Sequence, residues 1–104
     1  MRIIKKEPLL NFASKHPTLR SAIDTFIAMV EKSDWQTPEE AVLTFGQART
    51  DTFANERVCV NIGGGKCRVV IKARYGWRKV YVKWIGLHKD YTKMLEQGQK
   101  LENL

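Results

Sequence analysis

Acidic residues are missing from a long stretch in the second half of this chain. No Asp or Glu occurs between Arg57 and Lys89, although that stretch holds nine Lys and Arg residues. Residues 1–54 carry seven basic and seven acidic side chains, so the whole formal charge of +7 arises after residue 54. Such one-sided charge favours a polyanionic partner, with nucleic acid ahead of an anionic membrane surface.

Other absences exclude whole classes of protein. The chain has only two cysteines and two histidines, which is too few clustered ligands for a structural zinc site. No run approaches the ~18 apolar residues of a membrane span, and residues 1–8 lack the apolar segment of a signal peptide. We therefore expect a cytoplasmic protein that does not associate with membranes. The length predicts a single domain over 1–104, with 93–104 as a candidate flexible tail.

Hydrophobic spacing in the first half predicts three helices, over 8–16, 18–32 and 38–45. Residues 2–4 are too few to assign alone, although they could pair as a short edge strand. The second helix has the clearest pattern, because its apolar residues recur at i, i+3, i+4 and i+7. Thr37 precedes the third helix as an N-cap, and Glu40 completes a capping box. Residues 46–56 show no periodicity and are predicted to form a loop.

From Arg57 onward the apolar period changes to two, which predicts three antiparallel strands over 57–62, 66–74 and 79–85, followed by a helix over 89–97. A turn at Gly63-Gly64 would place Ile62 opposite Gly65 and bring the apolar sets onto one face. In this register Cys59 and Cys67 point to opposite faces, so we expect no disulfide bond between them.

The opposite face of the predicted sheet is polar and carries Arg57, Asn61, Lys66, Arg68, Lys72, Arg74, Lys79, Tyr81 and Lys83. Like charges opposite one another destabilise a sheet by a few tenths to ~1 kcal/mol per pair, so this face favours polyanion binding over simple solvation. His88 and Tyr91 would add an imidazole and a phenol, which suit RNA cleavage. Spacing alone favours a plainer interpretation, in which His88 caps the helix and Tyr91 packs in the core. Trp35 and Trp77, which flank turns, are interpreted as packing anchors.

Four spaced motifs stand out in residues 1–94: Asp34-Trp35-Gln36-Thr37-Pro38, Val60-Asn61-Ile62-Gly63-Gly64, Lys66-Cys67-Arg68-Val69-Val70 and Tyr81-Val82-Lys83-Trp84-Ile85-Gly86-Leu87-His88-Lys89-Asp90-Tyr91. Together they resemble the HigB-type toxins of bacterial type II toxin–antitoxin systems, in the RelE-like superfamily of mRNA interferases. Some positions depart from the residues usual in that family: Gly65, Cys67, Leu87 and Thr92.

The resemblance implies an α+β fold of the RelE-like kind, with N-terminal helices on one face of an antiparallel sheet and a short C-terminal helix. It implies an endoribonuclease that cleaves mRNA on the translating ribosome without a metal or cofactor. It also implies a HigA-like helix-turn-helix antitoxin, with operator DNA bound only through the toxin–antitoxin complex. By motif match, the expected catalytic residues are Arg68, Lys83, His88 and Tyr91. The expected RNA-binding residues are Arg57, Asn61, Lys66, Lys72, Arg74 and Lys79.

Two other interpretations stay open at this stage. A non-catalytic RNA- or DNA-binding module would use the same basic face through phosphate contacts. A gyrase-directed toxin similar to ParE belongs to the same superfamily, but that branch generally lacks a histidine in the place of His88.

Overall fold

The helical patterns of the first half and the strand patterns of the second produce a five-stranded sheet with the three N-terminal helices on one face and the C-terminal helix on the other. The structure, a computed structural model, describes residues 1–104. Its strands are β1 (Arg2–Ile4), β2 (Thr50–Phe53), β3 (Arg57–Ile62), β4 (Cys67–Arg74) and β5 (Lys79–Leu87). Its helices are α1 (Glu7–Lys15), α2 (Arg20–Glu31), α3 (Pro38–Phe45) and α4 (His88–Glu96). The sheet order is β1-β5-β4-β3-β2, and only β1 and β5 are parallel. The predicted α+β class is confirmed.

The helices of the first half form where the sequence predicts them. Thr37 caps α3 by accepting a hydrogen bond from the backbone N–H of Glu40, and the Glu40 carboxylate accepts one from the N–H of Gln36 at 2.6 Å. The apolar stripe of α2, with Ile23 and Val30 fully buried, packs in the main core with the apolar face of the sheet. Burial of this face is the main stabilising contribution to the fold.

Strand β2 lies within the segment predicted to be a loop, so that prediction is wrong. It pairs with β3 alone, and Thr50 is its only buried residue. An edge strand with a mostly exposed surface needs no apolar alternation, which is why periodicity does not reveal it.

The predicted hairpin register is displaced by two residues. Ile62 pairs with Cys67 and Asn61 with Arg68, so the turn contains four residues rather than two. A side chain at Gly63 would lie 2.8 Å from Leu19, and the backbone there has a φ of +63°. Since side chains alternate with a period of two, the shift leaves every side chain on its predicted face. Both cysteines are free, as expected.

Strand β5 contains a β-bulge that the alternation pattern does not show. Val70 pairs with Trp84 and Ile71 with Val82, so Lys83 has no partner on β4. Val82 packs against the main core, whereas Trp84 packs in a second cluster on the other face of the sheet. Alternation of apolar residues over 79–85 predicts that Val80, Val82 and Trp84 share one face. This is wrong for Trp84, because the extra residue reverses the alternation.

The second face of the sheet is partly covered rather than open. Residues 93–104 were expected to form a flexible tail. Their first part belongs to α4, which ends at Glu96, and after a turn at Gly98 the chain packs back onto the sheet. Leu101 is 3% exposed and forms a small cluster with Cys59 and Val70, which Trp84, Tyr91, Met94 and Leu104 flank. No helix in the chain has the length and the apolar character needed to cross a membrane.

Candidate active site

Arg68 and Tyr91 form the centre of the candidate site on the second face of the sheet. Arg68 lies near the start of β4, and Tyr91 lies in the first turns of α4. The guanidinium carbon of Arg68 is 5.7 Å from the centre of the Tyr91 ring, which is a cation–π distance. The Trp84 ring packs on Tyr91 with 6.0 Å between ring centres. A cation and two aromatic rings therefore meet on one surface.

Hydrogen bonds to the glycine turn hold Arg68 in this place. Its Nη1 donates to the carbonyl of Gly65 at 2.8 Å and more weakly to that of Cys67 at 3.4 Å. No hydrogen bond within the chain uses its Nε or Nη2. Because a guanidinium presents several N–H donors in a planar fork, Arg68 retains donors for a phosphate.

Gly86 creates the space that the aromatic pair needs. It pairs with Arg68 across the ladder, and a side chain at this position would lie 2.6 Å from Cζ2 of Trp84. Contacts that short do not occur between carbon atoms, so only glycine allows the indole to lie across the strand. Neither Gly86 nor Trp84 was among the predicted site residues. The Trp-Ile-Gly order was visible, but the bulge that turns Trp84 toward this face was not.

His88 and Lys66 lie one residue beyond the last pair of the β4–β5 ladder. The backbone N–H of His88 donates to the carbonyl of Lys66 at 3.0 Å, directly beyond the Cys67–Leu87 pair. Ladder alternation therefore places both residues on the face of Arg68. His88 begins α4 with an exposed side chain, and no side chain caps this helix. The plainer interpretation of His88 as a cap is wrong.

Tyr91 is half-buried, and its side chain packs against the cluster that contains Cys59. Burial raises the pKa of Tyr91 well above its usual value, and Cys59 and Asp51 act in the same direction. Burial also raises the pKa of Cys59. The phenol therefore keeps its proton at neutral pH. Tyr91 satisfies both interpretations of the sequence, since it packs in the second cluster and also contacts Arg68.

The other expected site residues lie in different places. Lys83 is exposed at the bulge and lines a groove with Lys5 and Tyr81 at the β1–β5 edge. Tyr91 does not line this groove. Arg57 is only 7% exposed, contrary to the expectation of an open basic face. Its guanidinium donates to the carbonyls of Asn55 and Leu104, because the end of the chain folds over it.

The remaining residues that were expected to bind RNA divide between the two ends of the β4–β5 pair. Asn61 pairs with Arg68, so it lies at the candidate site. Lys72 and Arg74 pair with Tyr81 and Lys79 at the far end of the same face. No three His, Cys, Asp or Glu side chains come together anywhere in the chain in the manner of metal ligands.

A mixed sheet with the N-terminal helices on one face, and a short C-terminal helix beside a cationic, aromatic surface on the other, is the architecture of a small RelE-like toxin. Residues 19–94 match the family model of HigB toxins, described as the RelE-like toxic component of a toxin–antitoxin system, and the chain belongs to that family. The mRNA interferase HigB of Escherichia coli O6:H1 is 28% identical over 94 residues, which are 90% of this chain and 91% of that protein. The mRNA interferase toxin HigB of Escherichia coli K12 and the mRNA interferase HigB of Shigella flexneri are each 23% identical over 91 residues, or 88% of both chains.

Proposed function

We propose that this protein is the toxin of a type II toxin–antitoxin system and acts as a ribosome-dependent endoribonuclease that cleaves mRNA during translation. The observation that carries the proposal is the surface on which Arg68 lies over Tyr91 beside the Lys66–His88 step of the ladder. The names of the relatives, mRNA interferases of the same family, support it.

The proposed reaction uses the RNA itself as the nucleophile. The 2′-oxygen attacks the adjacent phosphorus, the bond to the 5′-oxygen breaks, and the products are a 2′,3′-cyclic phosphate and a free 5′-hydroxyl. Arg68 and Lys66 stabilise the negative charge that grows on the phosphate oxygens. His88 transfers a proton, which is general acid–base catalysis. No metal ion takes part in this scheme.

Tyr91 serves in this scheme as a positioning group. Its phenol is protonated at neutral pH, as in an ordinary tyrosine, and burial and Cys59 raise its pKa further, so it donates a hydrogen bond or stacks on a base rather than accepting a proton. Lys83 was expected to share proton transfer with His88. Its place at the β1–β5 edge favours a contact with the RNA backbone instead.

The antitoxin in this proposal is a HigA-like helix-turn-helix protein that neutralises the toxin, and operator DNA is contacted only through the complex. Co-expression of the neighbouring reading frame tests this: the toxin should co-purify with a small helix-turn-helix protein and lose its effect on growth. A neighbouring protein that neither binds nor protects would contradict it.

Translating ribosomes programmed with a defined mRNA test the reaction. Addition of the protein should create new 5′ ends, detected by primer extension, while the same mRNA without ribosomes stays intact. The new 5′ ends should carry hydroxyl groups and the upstream fragments cyclic phosphates. Ends with 5′-phosphate would instead indicate attack by water and would contradict the proposed chemistry.

The basic face also favours a second candidate, a non-catalytic nucleic-acid-binding module. Both functions predict steep salt dependence of binding, so salt cannot distinguish them. Intact mRNA after incubation with translating ribosomes would favour the binding module. Inhibition of DNA supercoiling by gyrase, with intact mRNA, would favour a ParE-like toxin.

A further inference from the structure

Trp77 is the most exposed aromatic ring of the protein, although its position at a turn had indicated a packing anchor. Its side chain is 66% exposed in the turn between β4 and β5. Trp35, for which the same role was predicted, is buried and donates from Nε1 to the hydroxyl of Thr44 at 2.8 Å. The two tryptophans therefore have different roles, and no core contact explains Trp77.

The backbone around Trp77 is held in place from both sides. Its own N–H donates to the carbonyl of Arg74 at 3.1 Å, and the carbonyl of Arg78 accepts from the N–H of Arg2 at 2.7 Å. The Arg78 guanidinium pairs with Asp34 at 3.3 Å. Arg78 also has a φ of +56°, a left-handed conformation that a non-glycine residue rarely adopts. The indole is thus presented to solvent from a fixed turn.

Cationic and aromatic side chains surround the exposed ring. The guanidinium carbon of Arg74 lies 5.4 Å from the centre of the Trp77 ring. Arg74, Trp77, Lys79 and Tyr81 together line a shallow pocket. Arg74 and Lys79 pair directly across the ladder, and two like charges in that position cost stability unless an anion lies between them.

Glu56 offsets part of this charge, but not all of it. Its carboxylate lies 3.3 Å from Nε of Arg74, which is an ion-pair distance, yet Nε has no partner in hydrogen-bond geometry. No carboxylate forms a salt bridge with Lys79. A positive charge next to an exposed ring therefore remains at this end of the sheet.

We propose that Arg74, Trp77, Lys79 and Tyr81 form a second RNA subsite that binds one unpaired nucleotide by stacking its base on Trp77 and pairing its phosphate with the two cations. Single-stranded nucleic acid is bound in this way by aromatic rings set in cationic grooves. Duplex RNA does not fit, because its bases are already stacked on each other.

The subsite lies on the same sheet face as the candidate active site but at the opposite end of β4. Arg74 lies six positions after Arg68 along β4, which corresponds to roughly 20 Å along a strand. A nucleotide bound there is several positions away from the cleaved bond, or belongs to ribosomal RNA. This inference rests on the proposed function only for the identity of the RNA, and RNA binding at Trp77 can be measured without cleavage.

The test measures the affinity of the full-length protein for a short single-stranded 2′-O-methyl oligoribonucleotide, which lacks the attacking hydroxyl and is not cleaved. Trp77→Ala should weaken binding about tenfold, because loss of one base–aromatic stack costs on that order. Trp77→Phe keeps a ring and should bind within about twofold of the native protein. Leu43→Ala, at a leucine that is 83% exposed on α3, is the matched control and should leave binding unchanged.

A second ligand separates stacking from charge. Inorganic polyphosphate has no bases, so Trp77→Ala should not weaken its binding. Lys79→Ala should weaken the binding of both polyphosphate and the oligoribonucleotide. Native affinity of Trp77→Ala for the oligoribonucleotide would overturn the proposal. Equal weakening for both ligands would also overturn it, since it would show that Trp77 only positions the cations.

The outcomes also distinguish this inference from the proposed function. If the protein cleaves ribosome-bound mRNA but Trp77→Ala binds RNA normally, the subsite is wrong and the ribonuclease stands. If binding depends on Trp77 but mRNA stays intact on ribosomes, the subsite stands and the ribonuclease is wrong.

Discussion

The guanidinium of Arg68 lies over the ring of Tyr91, 5.7 Å from its centre, although one residue belongs to a strand and the other to the C-terminal helix. Each side chain restrains the other, since a cation over an aromatic face is attracted by ~0.5–2 kcal/mol. The contact joins α4 to the sheet at the centre of the candidate active site.

Substitution of Arg68 should remove activity without unfolding the protein. We expect Arg68→Ala to slow mRNA cleavage by at least ~10²-fold, the usual effect of losing a donor that stabilises transition-state charge. Arg68→Lys should retain part of the rate, because it keeps the charge but lacks the planar fork. Primer extension on translating ribosomes measures the rates, and thermal unfolding checks the fold. Native toxicity of Arg68→Ala would remove Arg68 from the mechanism.

His88 should matter for cleavage and not for stability. Its side chain is exposed and caps no helix, so His88→Ala should change the free energy of unfolding by less than ~0.5 kcal/mol. Loss of a general acid or base should slow cleavage by ~10²–10⁴-fold. Lys89→Ala, at the exposed neighbouring residue, is the control and should cleave within a few-fold of the native rate. If His88→Ala cleaves mRNA as fast as Lys89→Ala does, His88 takes no part in proton transfer.

Gly86 should tolerate no side chain while Trp84 keeps its present position. Gly86→Ala places a methyl group against the indole, and such overpacking costs ~1–3 kcal/mol of unfolding free energy. Cleavage should also slow, because a displaced Trp84 no longer supports Tyr91. In the background of Trp84→Leu, the same alanine should cost clearly less, which a double-mutant cycle by urea unfolding measures. Additive effects would show that the two residues do not compete for space.

Leu101 should contribute to stability even though it lies beyond the last helix. It is buried against Cys59 and Val70, so Leu101→Ala should cost ~2–3 kcal/mol, at the low end for buried leucines because the cluster is small. Leu95→Ala removes an exposed leucine on α4 and should change stability by less than ~0.5 kcal/mol. Urea unfolding compares the two. Equal, small effects would show that the end of the chain is not docked on the sheet.

Alkaline pH should destabilise the protein through Cys67. Burial raises the pKa of its thiol from 9.0 to about 11, although the positive charge of Arg68 acts to lower this pKa. The folded state therefore keeps a proton that the unfolded chain loses, so the stabilising effect is complete below pH 9 and is lost as pH rises to about 11. The loss should reach ~2–3 kcal/mol.

Cys67→Ala tests this pH dependence, because it removes the titrating group. Its stability at neutral pH will differ from that of the native protein, but the slope of unfolding free energy against pH between 9 and about 11 should be smaller. Part of the slope should remain, since burial also raises the pKa of Cys59. An unchanged slope in the variant would show that Cys67 does not titrate in this range.

The faces of the β3–β4 hairpin were predictable because strand side chains alternate strictly. Val58 and Val60 lie in the main core and Asn61 pairs with Arg68 on the other face, even though the predicted register was displaced by two residues. Alternation determines which face a residue occupies but not the length of the turn. The hairpin register was therefore the part of that prediction that failed.

The composition of the site was predictable only in part. The motif around His88 and Tyr91 selected a segment that the structure brings against Arg68. Trp84 was predicted on the wrong face because one extra residue in β5 reverses the alternation, and a bulge has no signature in hydrophobic spacing. Arg57 was expected to be exposed because nothing in its own strand shows that the end of the chain covers it.

The sequence by itself determined the charge asymmetry, the helices, the hairpin faces and the resemblance to the HigB family, because each depends on neighbouring residues along the chain. The tertiary structure alone decided which parts of the basic face are open. The Leu101 cluster covers its centre, the bulge sends Lys83 to an edge, and a fixed turn leaves Trp77 in solvent beside Arg74. These outcomes depend on contacts between segments far apart in sequence, where burial and register, rather than local propensity, set the free energy.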